Sequence, residues 1–284
     1  MDCLGRAWAL CDPRFQEYRI VFLSHPHHKL GGNYLRFFEL LGVKDRLIEV
    51  QQPTMFCEVV IPKNYASETN HLKLFYDPFV YVSRHIQYKM QVSPKIYLSR
   101  QHLKKAKGEE IGELLLEKQF IKNGYVVMYP EELSLDEQIA VFNRAQSIAC
   151  VNGTIPLNII FSSSKIKLIV LNKTSIRHTN LVNICRELNK SPFYIDVYKE
   201  PIKGHPHALG KGPFWMVFNN NIKNFFEDSG MTYKLPAFYK AQLVVERLRY
   251  FYLYFKFKLL DFIKQRLKRV DLLRRMVYKY RIKF

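Results

Sequence analysis

The chain has no run of about 18 or more uncharged apolar residues, which excludes a membrane-crossing helix of ordinary length. Cysteine is scarce: Cys3, Cys11, Cys57, Cys150 and Cys185 are the five among 284 residues. Their number is odd and no Cys-x-x-Cys pair occurs, so neither a disulfide framework nor a cysteine zinc site is expected; reduced thiols in a cytosolic compartment are the simplest reading. Acidic residues are in deficit, 25 Asp and Glu against 44 Lys and Arg, which leaves a formal charge of +19. Such a balance calls for an anionic partner: nucleic acid, anionic lipid or a phosphorylated substrate. Repeats and low-complexity tracts are absent. Asp2 and Arg6 interrupt any apolar run at the start, so no signal peptide is expected. What is present is the composition of a folded protein, 48% hydrophobic and 24% charged, long enough for two α/β halves.

The clearest order lies between Tyr129 and Leu171. Ser134-Leu135-Asp136-Glu137 has capping-box spacing, and Ile139, Phe142 and Ala145 follow at helical intervals. Ser147 to Val151 is short and apolar without alternation, which predicts a strand buried on both faces. It runs into Asn152-Gly153-Thr154, with Thr154 as N-cap and Pro156 in the first turn of a helix starting at Ile155. Free backbone N–H groups at such a helix start, at the carboxyl end of a strand, suit a phosphate; a tight turn and nothing more is the other reading.

Upstream, helical spacing is read for Met1 to Leu10, Asn33 to Leu41 and Glu109 to Lys122, the last with Ile111, Leu114, Leu115 and Ile121 on one face. Strands are read at Tyr18 to Leu23, Leu47 to Val50, Phe56 to Ile61, Lys95 to Ser99 and Val126 to Met128, and downstream at Ile166 to Leu171 and Phe193 to Val197 with a helix at Asn180 to Leu188 between them. An inter-domain connection is placed near Ser67 to Ser83, where Asp77-Pro78 falls. Arg100 follows a strand and would point into the ligand crevice of a doubly wound sheet, its planar fork suiting a diphosphate; a surface salt bridge is the alternative. His25-Pro26-His27-His28 and His205-Pro206-His207 are read as solvated loops, since no third ligand type is placed by spacing and no metal site is expected.

With these residues in place, Tyr97-Leu98-Ser99-Arg100, Gly112-Glu113, Gly124-Tyr125, Tyr129-Pro130-Glu131, Leu133-Ser134, Glu137-Gln138 and Gly153-x-x-x-x-Asn158-x-x-Phe161 occur in an order that resembles the family 61 glycosyltransferases, most closely the bacterial branch of capsular and surface polysaccharide loci. Tyr194-Ile195-Asp196 and Gly212-Pro213-Phe214 extend the resemblance to about residue 230. It implies two Rossmann-like lobes of the GT-B glycosyltransferase type, an acceptor-side lobe over 1–85 that is incomplete, a nucleotide-sugar lobe over 86–235, and inverting transfer without an obligatory metal or other cofactor. Carried over by position, Arg100 contacts the diphosphate, Gly153 and Thr154 offer it backbone N–H groups, and Asn158 fixes the loop or touches the donor. Glu131 and Gln138 match positions near the nucleotide, with Gln138 open to a packing and hydrogen-bonding role instead. The family-matched carboxylate for the acceptor base is Asp2, with His25, His27 and His28 as alternatives. Leu157 stands where the family often has an imidazole, and the chain looks as though it starts inside its first lobe.

The carboxyl tail, 236–284, is expected to be a basic amphipathic helix. From Lys240 to Phe284 there are 14 Lys or Arg against 3 acidic residues, so +11 of the +19 resides there. Leu248, Phe251, Tyr252, Phe255, Leu259, Phe262, Ile263, Val270, Leu273 and Val277 are read as one helical face suited to an anionic membrane; packing back on the sheet is the alternative, and nucleic acid is not expected. The expected protein is a peripheral enzyme on the inner face of the cytoplasmic membrane, moving a sugar from a nucleotide-sugar to a growing surface glycan or lipid-linked glycan acceptor. Its rival is a truncated, non-catalytic paralogue that serves as a membrane-associated partner of an assembly complex.

Overall fold

The computed structural model describes residues 4–24, 29–64, 73–87, 90–103, 109–162 and 165–269, with 267–269 described by backbone only. At its centre is a five-stranded, all-parallel sheet. Its strands are β3 (Lys95–Leu98), β5 (Val126–Met128), β6 (Ser147–Val151), β7 (Lys167–Asn172) and β8 (Phe193–Asp196), ordered β5-β3-β6-β7-β8. Two smaller sheets complete the set among the described residues: β1 (Ile20–Leu23) parallel to β2 (Leu47–Val50), and β4 (Glu110–Ile111), β10 (Phe214–Met216) and β9 (Tyr198–Lys199) in that order.

Strand alternation divides the apolar side chains between two layers. Ile96, Leu98, Ile148, Cys150, Leu168 and Val170 face helices α1 (Gly32–Leu40), α2 (Lys73–His85), α4 (Leu135–Arg144) and α5 (Thr179–Glu187). Tyr97, Ala149, Val151, Ile169 and Leu171 face α3 (Glu113–Ile121) and α6 (Asn220–Asp228). Every residue of β6 is buried, as its lack of polar alternation predicts. The capping box forms: Ser134 Oγ accepts from the Glu137 N–H, and Glu137 Oε2 accepts from the Ser134 N–H.

Four local expectations change. From Lys73 on, the connection placed at Ser67 to Ser83 is α2, and Phe75, Tyr76, Phe79 and Val82 are buried on the same side of the sheet as Phe37, Ile148 and Phe161. Pro78 lies inside this helix; the hydrogen bond it forgoes is outweighed by the burial of that apolar face. Phe56 to Ile61 forms no strand, because no neighbouring strand pairs with it; the segment is held instead by Arg6 Nε donating to Pro62 O and Trp8 Nε1 to Lys63 O. The opening helix is a short 3-10 turn at Ala7–Cys11. Helix α3 starts at Glu113 and not Glu109, because Glu110 and Ile111 pair with Phe214 and Trp215; its buried residues are Glu113, Leu115, Leu116, Glu117, Gln119 and Phe120, while Leu114 and Ile121 are exposed.

Helix α7 (Tyr239–Arg269) packs Tyr250 and Leu253 against Ile111 and Trp215 of the small sheet and Val217 just past it. The tail helix is therefore docked by Tyr250 and Leu253, while Leu248, Tyr252, Phe255, Leu259, Phe262 and Ile263 of the stripe read from the sequence are exposed on another face, with Phe251 partly buried at its edge; Val270, Leu273 and Val277 lie outside the described residues. No helix among the described residues is long and apolar enough to cross a membrane.

Candidate functional site

In the order β5-β3-β6-β7-β8 the chain steps from β3 to β5 on one side and then returns to β6 on the other, so the topological switch point falls between the carboxyl ends of β3 and β6. Crevices at such points are where open α/β sheets bind ligands. Arg100 follows the end of β3 and Gly153 follows the end of β6, so the two residues singled out from the sequence meet there. A Cβ added to Gly153 would stand 3.8 Å from Arg100 Nη1.

The arginine is held from behind. Its Nε donates to Glu110 Oε1 at 3.0 Å, and its backbone N–H donates to Glu113 Oε1 at 3.0 Å. Lys173, next after β7, donates from Nζ to the same Glu110 oxygen at 2.6 Å and lies 4.0 Å from the Phe214 ring centre. Glu110 is thereby neutralised twice over in a nearly dry setting. Among the described residues neither terminal nitrogen of Arg100 has a protein acceptor. Among the described residues both terminal nitrogens of this mostly buried guanidinium thus remain for an anion.

Gln101 Nε2 donates to Glu113 Oε2 at 3.0 Å. Burial pushes the Glu113 carboxyl up to about 7; the Arg100 N–H opposes this and the charge on Glu110 adds to it. A folded-state pKa above the ordinary 4.5 means the native chain binds the proton more tightly, so this contribution to stability is full below about pH 4.5 and is lost as pH rises to about 7. The loss is about 3 kcal/mol, at about 1.4 kcal/mol per pKa unit. Glu113→Gln is expected to remove that part of the slope, read as urea midpoints of variant and parent from pH 5 to 8; parallel curves would show that Glu113 does not titrate there.

The rest of the rim is a relay of amides: Asn152 Nδ2 donates to Asn172 Oδ1 at 3.0 Å, and Asn172 Nδ2 to Asp196 Oδ1 at 2.7 Å. It ties the carboxyl ends of β6, β7 and β8 together. On the β5 side His102 stacks on Tyr129 with ring centres 3.5 Å apart, and its Nδ1 lies 2.6 Å from Glu132 Oε1.

Glu131 sits on this side of the rim, exposed, in the 3-10 turn Pro130–Glu132. Gln138 donates from Nε2 to Pro130 O and Leu133 O, both at 3.1 Å, while its Oε1 accepts from Asn158 Nδ2 at 2.8 Å. Its amide is thus spent on bracing the 130–133 turn against the segment carrying Asn158, the packing and hydrogen-bonding role.

Thr154 is exposed at the crevice but is not the N-cap expected of it. Its backbone is already helical, its side chain makes no capping bond, and Ile155–Phe161 is a seven-residue 3-10 helix. Ile155, Pro156, Ile159, Ile160 and Phe161 are buried along this tighter turn. So short a helix adds little dipole, and the positive charge of the site comes from Arg100 and Lys173. Asp2 and His25, with His27 and His28, lie outside the described residues.

Glu110, Glu113, Gln101 and Lys173 were not singled out from the sequence as site residues. Two signals were there: Gly112-Glu113 stands in the ordered motif set, and Lys173 directly follows a buried strand, as Arg100 does. A cleft of about 520 Å³ adjoins the site between α3 and α7, lined among others by Arg100, Gln101, Glu113, Gln242 and Arg249.

The family model described as Glycosyltransferase 61 matches residues 2–169, which include β3, β6 and the Arg100 and Gly153 turns. No curated protein matches the chain.

Proposed function

Since the chain belongs to glycosyltransferase family 61 and so to an enzyme class that transfers sugars, we propose that it takes a nucleotide-sugar whose diphosphate lies against Arg100 at the Gly153 turn. The observation that carries this is the Arg100 guanidinium, fixed through Nε by Glu110 with its Nη1 beside Gly153 at the switch point.

In this reading the acceptor hydroxyl loses its proton to a base, its oxygen attacks the anomeric carbon from the far side, and the bond to the diphosphate breaks with the electron pair leaving on phosphate oxygen. Inversion follows from the single displacement. Arg100 meets the charge that develops on the leaving group, with Lys173 adding to the local positive potential. The base is assigned to Asp2 or His25, the fold to two GT-B lobes, and no metal is required. The acceptor is a growing surface glycan or its lipid-linked precursor in a bacterium, reached from the inner face of the cytoplasmic membrane.

A panel of nucleotides and nucleotide-sugars tests the donor site by thermal shift. One nucleotide class at about a hundred times its Kd is expected to raise stability by about 2.7 kcal/mol, about 5 °C in Tm. A cooperative melt that none of them moves would favour the non-catalytic paralogue, the reading that the missing imidazole at Leu157 suggests.

A further inference from the structure

Helix α7 is fastened by Tyr250 and Leu253, yet its opposite side is also apolar. Val245, Leu248, Tyr252, Phe255, Leu259 and Phe262 are each more than half exposed. At about 100° per residue they fall within about 60° of Leu248, over about 26 Å of helix. Charge is arranged around this stripe in a definite way. Arg247 and Lys258 lie about 80–100° to one side of its centre, Arg249 and Lys256 as far to the other. Between Arg247 and Arg266 these four are joined by Lys264 and one acid, Asp261, which project about 140–160° away, and by Arg266, in line with the stripe beyond Phe262. Of the other carboxylates near the helix, Glu246 is turned inward to accept from Trp215 Nε1 at 3.0 Å, and Glu109 pairs with Arg249.

We infer that this stripe is a docking face for an anionic bilayer, with α7 lying along the headgroup layer, its apolar residues in the acyl boundary and its two basic flanks on lipid phosphates. The charge pattern selects this occupant. The 3-4 spacing of the stripe is also that of a coiled-coil seam, but a second copy would bring the same basic flanks together, and among the described residues the one acid paired there, Glu109, belongs to Arg249. Arg249 additionally pairs with Glu109, so the docked helix is coupled to the wall of the cleft beside Arg100. The inference deepens the peripheral-membrane part of the proposed function and rests on it, while its test needs no turnover.

The test is co-sedimentation of the full chain with vesicles of phosphatidylcholine containing about a third phosphatidylglycerol, and with phosphatidylcholine alone. Binding to the anionic vesicles is expected to be at least about tenfold stronger. Leu248→Glu with Phe255→Glu alters only exposed positions and is expected to lower that binding at least about tenfold, with Tm and any nucleotide-induced shift unchanged. Truncating at residue 240 would be a poor substitute, because it strips Tyr250 and Leu253 from the core. Failure of the parent chain to sediment with anionic vesicles, or equal binding by the double variant, would overturn the inference. So would a dimer in velocity sedimentation that the double variant converts to monomer, since the stripe would then belong to a second copy. A missing nucleotide shift, by contrast, would count against the donor site alone.

Discussion

Arg100→Ala is expected to lower kcat/KM with a nucleotide-sugar donor by at least about a hundredfold while costing only about 1–2 kcal/mol of stability. The first figure follows from removing a positioned cation from a site where charge develops on a leaving diphosphate. The second follows from the partners left behind. Glu110 keeps the Lys173 ammonium at 2.6 Å, and Glu113 keeps a backbone N–H at position 100 whatever the side chain. Breaking a buried pair with no substitute costs about 3–5 kcal/mol, and that larger loss, with activity falling only as far as the folded fraction falls, would make Arg100 structural. Arg100→Lys separates charge from shape: it keeps the cation but loses the fork that can grip Glu110 and a ligand at once, so partial recovery is expected.

The largest stability effect is expected at Gly112. Its φ is +90°, and an added Cβ would run into the backbone carbonyl of Met216 in β10. Gly112→Ala therefore meets a conformational penalty and a steric one that no rotamer change relieves, together more than about 3 kcal/mol. Gly124 has a similar φ of +82° but open space around its Cβ position. Gly124→Ala is expected to cost only about 1 kcal/mol. The pair thus isolates the collision, and equal urea midpoints for the two variants would show that β4 yields to the intruding methyl. The strand cannot give way without consequence, since Glu110 of β4 carries both Arg100 and Lys173 and Glu113 begins the next helix. Loss of nucleotide binding in Gly112→Ala beyond its loss of folded protein would report that displacement.

How much of this was legible in the chain depends on the range of the interaction. The capping box at Ser134, the fully buried strand Ser147–Val151 and the position of Arg100 after β3 follow from spacing and strand polarity, which are local, and the structure has all three. The turn at Gly153 after β6 lies where strand and glycine spacing put it, but its helix does not follow: whether seven residues wind as 3-10 or α is decided by the packing of Ile159 and Phe161, a contact that no local pattern encodes. Phe56–Ile61 has the composition of a strand and lacks only a strand to pair with. Glu110 was assigned to a helix because its pairing with Phe214 spans more than a hundred residues.

The sequence by itself determined the α/β class, the family and the two turns that make the crevice, because periodicity, caps and motif order are written along the chain. Only the tertiary structure decided that Glu110 and Glu113 hold Arg100 from behind with Lys173 sharing Glu110, that Gln138 braces a turn, and that α7 has an inner and an outer apolar face. Those outcomes turn on which distant residues share a buried space, and in that low dielectric a charge must find its partner wherever the fold brings one.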